Sequence, residues 1–155
     1  MKNILLVATM LTLCLANAAG QTKTLTNDPL TGLPLTPATD GGKYVGNQPD
    51  KMPAGQVCKS KMQGNFYTLY SIKMDAVTAW YASHLAGFKK VQGYEGGRTQ
   101  IAFYKPDGTI VIFLTAVRGA PGENADGYAV AYERYEPGIS DKTITSLTRG
   151  KIVCQ

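Results

Sequence analysis

The chain contains one histidine, His84, so any catalysis that needs an imidazole would depend on it. His84 follows Ser83, and a serine beside a histidine is the minimum for a nucleophile and its base. Adjacent residues on a helix point about 100° apart, however, and the spacing from Val77 and Tyr81 places His84 on the apolar face of a predicted helix. We therefore predict a hydrogen-bonded histidine at the edge of the core, the alternative being a base or a ligand.

Carboxylates are the other groups that could do acid–base chemistry. The candidates are Glu95, Glu123, Asp126, Glu133 and Glu136. Glycoside chemistry needs two carboxyl groups at a set separation, and a pair could be drawn from these residues, but the sequence gives no pairing geometry and favours solvated charges. A small carboxylate-based hydrolase is therefore the least favoured of the functions considered below.

No metal or cofactor motif is recognisable. Zinc needs several nitrogen or sulfur donors, and the stretch 123–127 lacks the longer alternating ligand pattern of calcium loops. The glycine pairs 41–42 and 96–97 do not stand between a strand and a helix, as a phosphate loop requires. The sequence predicts no metal and no cofactor, and it reads the glycine pairs as turns.

The first 18 residues have the pattern of a cleaved export signal. Lys2 precedes a mostly apolar run over 4–15, and Ala16, Asn17 and Ala18 form a small-x-small cleavage site. The run is shorter than the roughly 20 residues that span a bilayer, and no later segment is long and apolar enough. The sequence predicts a periplasmic or extracellular protein with no transmembrane span in the mature chain.

Three cysteines occur in the sequence, and Cys14 would leave with the signal. An alternative is a lipoprotein signal acylated at Cys14, but that residue lies inside the apolar run. The remaining pair, Cys58 and Cys154, would enter an oxidising compartment, which favours a bridge. We predict a Cys58–Cys154 disulfide, the alternatives being two free thiols or intermolecular bridges.

The formal net charge is +5, and the lysines and arginines are scattered, with no basic run longer than Lys89-Lys90. Nucleic-acid binding needs a clustered basic face, so that function class is not supported. A weak attraction to anionic envelope polymers or lipid headgroups is compatible with the charge.

The candidate binding residues lie on one predicted strand and on the long loop before it. Tyr128 and Tyr132 would share a strand face, and an exposed aromatic face suits a glycan or a peptide. The alternative is that these tyrosines pack in the core. The loop 118–127 contributes the polar candidates, namely Arg118, Glu123, Asn124 and Asp126.

Residues 19–54 are rich in Thr, Pro, Gly, Asp and Asn and show no helical or strand period. Such a segment lacks the apolar surface that would offset its ordering entropy, so we predict a flexible N-terminal extension. The alternative is that Leu30, Leu33 and Leu35 lie along the domain surface or contact a partner.

Residues 55–155 are predicted to form one α+β domain. Its antiparallel sheet of four to five strands would carry one main helix on one face, followed by a short C-terminal helix. The predicted strands cover 65–72, 99–104, 109–117 and 128–135, with Pro106, Asp107 and Gly108 in the hairpin turn. The helices cover Asp75 to Ala86 and, after the cap Ser140, residues up to Arg149.

These features favour a non-enzymatic envelope or secreted protein that binds a partner, such as an envelope protein or a glycan. The alternative is a secreted inhibitor of a hydrolase, with the 118–127 loop or the N-terminal extension entering the enzyme cleft.

Overall fold

The computed structural model describes residues 25–36, 43–44, 50–70, 74–118 and 126–155. In chain order the elements are β1 (Lys43–Tyr44), β2 (Asp50–Lys51), β3 (Gly55–Val57), β4 (Ser60–Tyr70), α1 (Met74–His84), β5 (Lys89–Glu95), β6 (Arg98–Tyr104), β7 (Ile110–Arg118), β8 (Asp126–Glu136) and α2 (Asp141–Leu147). Within these ranges, neither helix has the length and apolar character needed to cross a bilayer.

The strands form one antiparallel sheet in the order β1-β4-β8-β7-β6-β5, and β2 and β3 also pair with β4. The architecture is α+β, but the expected four to five strands are wrong, because six lie along this path. Strand β5 was missed because its charged and glycine-containing sequence, KKVQGYE, has no apolar alternation. Strand β1 falls in the segment predicted to be flexible.

The strongest local patterns are present where the sequence places them. Strands β6 and β7 pair antiparallel, and the turn between them is closed by a bond from Gly108 N–H to the Lys105 carbonyl, 2.8 Å. Ser140 caps α2, its Oγ accepting from the Thr143 N–H at 3.1 Å. Helix α1 begins at Met74, one residue before the predicted start, so Asp75 lies in its first turn.

One face of the sheet, called here the α1 face, carries the larger core. Val77, Tyr81 and Leu85 are buried in a cluster with strand residues such as Phe103 and Tyr132. The Tyr81 ring lies 5.8 Å from the Phe103 ring and 6.3 Å from the Tyr132 ring, between centroids. Apolar burial of this kind is the main favourable contribution to folding.

The opposite face, called here the α2 face, has a second cluster. Ile139 and Ile144 of the C-terminal segment are buried with Val111, Phe113 and Tyr135 of the strands. The predicted disulfide is present between Cys58 and Cys154, which are 96 positions apart. It joins the turn between β3 and β4 to the chain end beyond α2.

Residues 25–36 contact the sheet, although the sequence reads them as part of a flexible extension. Leu35 is 7% exposed within the core of the α1 face, and Leu25 and Leu33 pack against the same cluster. Asp28 is fully buried. The flexible extension over 19–54 stays a prediction, since residues 19–24, 37–42 and 45–49 lie outside the described residues.

Candidate functional site

Tyr132, a candidate binding residue, is fully buried. Its hydroxyl donates to the Pro34 carbonyl at 2.8 Å and lies 2.5 Å from the Tyr81 hydroxyl. Its ring packs edge-on against Tyr67, with centroids 5.5 Å apart. Tyr132 therefore joins the N-terminal segment to the sheet and to α1, and it offers no surface to a ligand.

The other candidates of that strand and loop are placed by backbone register alone. Arg118 pairs with Asp126 at one end of the β7–β8 ladder, and Tyr128 pairs with Ala116 on one side. Glu123 and Asn124 lie outside the described residues. The 118–127 loop as a binding element therefore stays a prediction.

His84 lies at the end of α1 and is exposed, contrary to the predicted place on the apolar face. Because the chain turns after His84, Leu85 takes the buried position, 5% exposed. The imidazole folds back over Trp80, stacking at 4.1 Å between ring centroids. Nδ1 lies 2.8 Å from the Trp80 carbonyl oxygen.

Ser83 and His84 do meet, although helix geometry predicts that adjacent side chains diverge. Ser83 Oγ lies 2.8 Å from His84 Nδ1 and donates to the same Trp80 carbonyl at 2.8 Å. In the tautomer that satisfies this carbonyl, Nδ1 carries a proton, so it has no lone pair to accept one from serine. The contact fits a helix C-terminus better than a nucleophile and its base.

The carboxylates of β8 do not form a catalytic pair. Glu133 and Glu136 are three positions apart, so they project to opposite sides of the strand. Glu133 is 8% exposed, and burial raises the pKa of its carboxyl group. The Tyr135 hydroxyl donates to Glu133, and burial together with this carboxylate raises the tyrosine's pKa as well. The pair is a buried structural contact on the α2 face.

A cleft of about 340 Å³ lies between the N-terminal segment and the β6–β7 turn. Its lining includes Leu30, Thr31, Lys105, Thr109, Arg134 and Glu136. Among the residues that the structure describes, neither Lys105 nor Arg134 has an ion-pair partner. These two cations against one carboxylate give the cleft a net positive lining.

The outer edge of β5, called here the β5 edge, is the second accessible surface. Strand β5 ends the sheet, with β6 on its inner side. Its residues Lys90, Gln92 and Tyr94 are exposed, and Tyr94 is the most exposed large apolar side chain in the described ranges, at 65%. At the other end of the sheet, the short strands β1, β2 and β3 pair along β4.

The turn between β5 and β6 determines which backbone groups of β5 face outward. Gly96 and Gly97 both have positive φ, 54° and 83°, and form a two-residue turn closed by Glu95 and Arg98. In such a hairpin the closing pair exchanges hydrogen bonds, and bonded pairs then alternate along the ladder. The N–H and C=O groups of Lys90, Gln92 and Tyr94 therefore point away from β6.

Sequence reasoning missed both the β5 edge and the cleft. The sequence predicts a turn at Gly96-Gly97 and a strand at 99–104. Because a hairpin turn joins two strands, these two features together could have indicated a strand before the turn. The cleft has no sequence signal, since it depends on packing of the N-terminal segment near the β6–β7 turn.

Among the described residues, no group of three or more His, Cys, Asp or Glu side chains is placed to hold a metal ion. In comparisons with known proteins, no family model, no curated protein and no solved structure matches the chain.

Proposed function

We propose that the protein is an exported, non-enzymatic binding module that captures a partner along the β5 edge. The observation that carries this proposal is a seven-residue edge strand with exposed side chains and outward backbone donors and acceptors at alternate residues. An edge strand presents N–H and C=O groups that no neighbouring strand occupies, and another strand can pair with them; charged side chains such as the two lysines of β5 restrict which strand fits. Addition of a strand to a sheet edge is a recurring mode of peptide recognition.

The use of the polar groups elsewhere supports binding over catalysis. Asp28 accepts five hydrogen bonds, among them those from Asn65 and Tyr67 at 2.7 and 2.8 Å. The Ser83 and His84 contacts converge on a backbone carbonyl, and Glu133 bonds to Tyr135. The groups best suited to acid–base chemistry are therefore engaged in contacts that stabilise the fold.

Export is supported by the signal-like pattern of residues 1–18 and by the Cys58–Cys154 bridge. A disulfide of this kind persists in the periplasm and outside the cell, whereas cytosolic reductants keep thiols reduced. Mass analysis of the protein from its source cells tests this, with the chain expected to begin after Ala18. A mature chain that retains residues 1–18 would contradict export by a cleaved signal.

Photo-crosslinking tests the binding surface directly. A benzophenone amino acid in place of Tyr94 would react with whatever lies against the β5 edge in the envelope or secreted fraction of the source cells. The matched control replaces Ala82, which is exposed on α1. We expect a crosslinked species with the probe at Tyr94 and none at Ala82; equal labelling at both positions, or none at Tyr94, would count against the β5 edge.

The cleft supports a second candidate function, the binding of a small carboxylate- or phosphate-bearing ligand. Arg134 and Lys105 line it, and a guanidinium binds such groups through two parallel hydrogen bonds. Isothermal titration with inorganic phosphate and with acetate tests this candidate against an Arg134→Gln variant. A heat of binding that is the same in the variant would exclude the cleft as the binding site.

The inhibitor alternative has less support. Residues 25–36 pack on the sheet, so this part of the N-terminal segment is not a free arm that could enter an enzyme cleft.

A further inference from the structure

We infer that the partner at the β5 edge is a second copy of this chain, with the two β5 strands paired antiparallel about a two-fold axis at Gln92. This inference rests on the proposed function of the β5 edge. Gln92 is the central residue of Lys89–Glu95, and its N–H and C=O point outward. Two copies related by a two-fold axis would therefore exchange hydrogen bonds between the two Gln92 residues.

The side-chain sequence of β5 is complementary to itself in this register. Lys89 of one copy lies opposite Glu95 of the other, so opposite charges face each other at both ends of the pair. Within its own copy Lys89 already pairs with Asp141 at 2.7 Å, and Glu95 accepts a hydrogen bond from Gln100, so these facing charges are partly neutralised before the copies meet. Lys90 lies opposite the exposed Tyr94, which suits contact between an ammonium group and an aromatic ring. Val91 lies opposite Gly93, which has no side chain and over which the chain after α2 lies, with the Thr148 carbonyl oxygen 2.2 Å from where a Cβ atom would be.

Other two-fold registers are less favourable. An axis at Lys90 places two lysines opposite each other, and like charges in that position are destabilising. An axis at Val91 or Gly93 shortens the overlap to five of the seven residues. An axis at Gln92 is the arrangement in which all seven residues pair and no like charges meet.

The surroundings of β5 leave room for this approach. On the α1 face, Lys90, Gln92 and Tyr94 are exposed, so no described segment covers them. On the α2 face, the chain after α2 lies over Gly93, where a Cβ atom would be 2.2 Å from the Thr148 carbonyl oxygen. In the described part of the chain, no backbone hydrogen bond joins that segment to Lys90, Gln92 or Tyr94. Since one strand pair buries less surface than a standard interface of about 1,600 Å², we expect a weak dimer.

Cysteine trapping tests the register. In the proposed pair the two Gln92 Cα atoms lie about 5.5 Å apart, within the range that a disulfide bridges. The two Lys90 Cα atoms are offset by four residues, about 14 Å along the strands, which a disulfide cannot span. Lys90 and Gln92 are both exposed on the same side of β5, so Lys90→Cys is a matched control for Gln92→Cys.

The full chain with Cys58–Cys154 intact is oxidised mildly, and covalent dimer is followed on non-reducing gels. We expect Gln92→Cys to form covalent dimer about tenfold faster than Lys90→Cys, because the paired strands would hold the two introduced thiols close together before they react. The double variant Lys90→Cys/Tyr94→Cys should also form dimer, because those positions face each other. Equal rates for Gln92→Cys and Lys90→Cys would overturn the register and with it the inference.

Sedimentation equilibrium of the unmodified chain provides the second measurement. We expect dimer to increase with concentration and the dissociation constant to rise about tenfold in Gln92→Pro, which removes two hydrogen bonds at the axis. A chain that stays monomeric up to about 1 mM would overturn self-pairing. If the probe at Tyr94 then crosslinks a different protein, the β5 edge still binds a partner, whereas a monomer without crosslinks removes both proposals.

Discussion

The carboxylate of Asp28 accepts a 2.8 Å hydrogen bond from the hydroxyl of Tyr67, although the two residues are 39 positions apart. The same carboxylate oxygen accepts from Asn65 at 2.7 Å, and the other accepts from Thr31. Asp28 thus stabilises its own turn through Thr31 and joins that turn to β4 through Asn65 and Tyr67. A charge buried without such partners would be costly, so this set of contacts fixes the position of the N-terminal segment.

Asp28→Ala should therefore destabilise the whole domain and not merely release a terminal arm. Removing the carboxylate leaves the buried donors of Asn65 and Tyr67 without this acceptor, and we expect a loss of about 3 kcal/mol. Urea unfolding followed by tyrosine and tryptophan fluorescence measures it. Asn27→Ala is the control, because Asn27 is exposed and should cost less than about 1 kcal/mol. Equal losses in the two variants would show that the segment is not anchored through Asp28.

Tyr132→Phe tests whether this tyrosine serves the fold or a ligand. The substitution keeps the buried ring and removes the hydroxyl that donates to Pro34 and meets Tyr81. We expect a loss of about 1–3 kcal/mol in the free energy of unfolding, with no change in crosslinking from the probe at Tyr94. Tyr94→Phe, on the exposed hairpin, should change stability by less than about 0.5 kcal/mol. A neutral Tyr132→Phe variant would contradict the anchoring role.

Gly93→Ala tests the close approach between β5 and the chain after α2. A Cβ atom at this position would lie 2.2 Å from the Thr148 carbonyl oxygen, a backbone atom that cannot move away alone. We expect a loss of about 1–3 kcal/mol by overpacking. In the matched strand variant Gly55→Ala, the new methyl meets the flexible end of Met62 at 3.3 Å, so a smaller loss is expected in thermal unfolding. Similar losses would indicate that β5 and Thr148 are less closely packed.

The parts of the fold that sequence predicted are those with local signals. The β6–β7 hairpin follows from Pro106, Asp107 and Gly108 between apolar runs, and the second helix follows from the cap Ser140. Strand β5 has no such signal, since its side chains are largely exposed and charged. A strand with little buried surface lacks the apolar alternation by which a strand is recognised.

The position of residues 25–36 was beyond composition-based reasoning for a different reason. Their Thr-, Pro-, Gly- and Asn-rich composition predicts a flexible segment, and composition carries no information on which distant residues they contact. The decisive contacts are polar and distant in sequence, since Asp28 meets Asn65 and Tyr67, and Pro34 meets Tyr132. The β5 edge could not be predicted for a similar reason, because the strand that lies at the edge of a sheet is known only from the complete strand order.

The Cys58–Cys154 bridge should contribute a large share of the stability. It closes a loop with a sequence separation of 96, and chain-entropy reasoning gives a stabilisation of about 2–5 kcal/mol. Urea unfolding of the double variant Cys58→Ser/Cys154→Ser measures this difference. Added reductant should lower the free energy of unfolding of the unmodified chain toward that of the variant and should leave the value for the variant unchanged. A variant as stable as the oxidised chain would contradict this contribution.

Glu133 should make stability depend on pH in a direction opposite to that of most carboxylates. Burial raises its pKa, so as pH rises the unfolded chain loses this proton before the folded chain does. The folded state is then favoured less, and the stabilisation present below the ordinary glutamate pKa is lost as pH rises through the raised value. At pH values above the raised pKa, the Glu133 carboxyl group is ionised in both the folded and the unfolded chain, so its contribution to stability no longer changes with pH.

Glu133→Gln isolates the effect, because glutamine cannot ionise and its carbonyl can still accept from Tyr135. We expect the free energy of unfolding of the variant to increase relative to that of the unmodified chain as pH is raised above the ordinary glutamate pKa. Urea unfolding at a series of pH values measures that difference, in which the titrations common to both chains cancel. Glu136→Gln, at an exposed position of the same strand, is the control for the substitution itself. A flat difference for Glu133→Gln would mean that its carboxyl group is solvated in the folded protein.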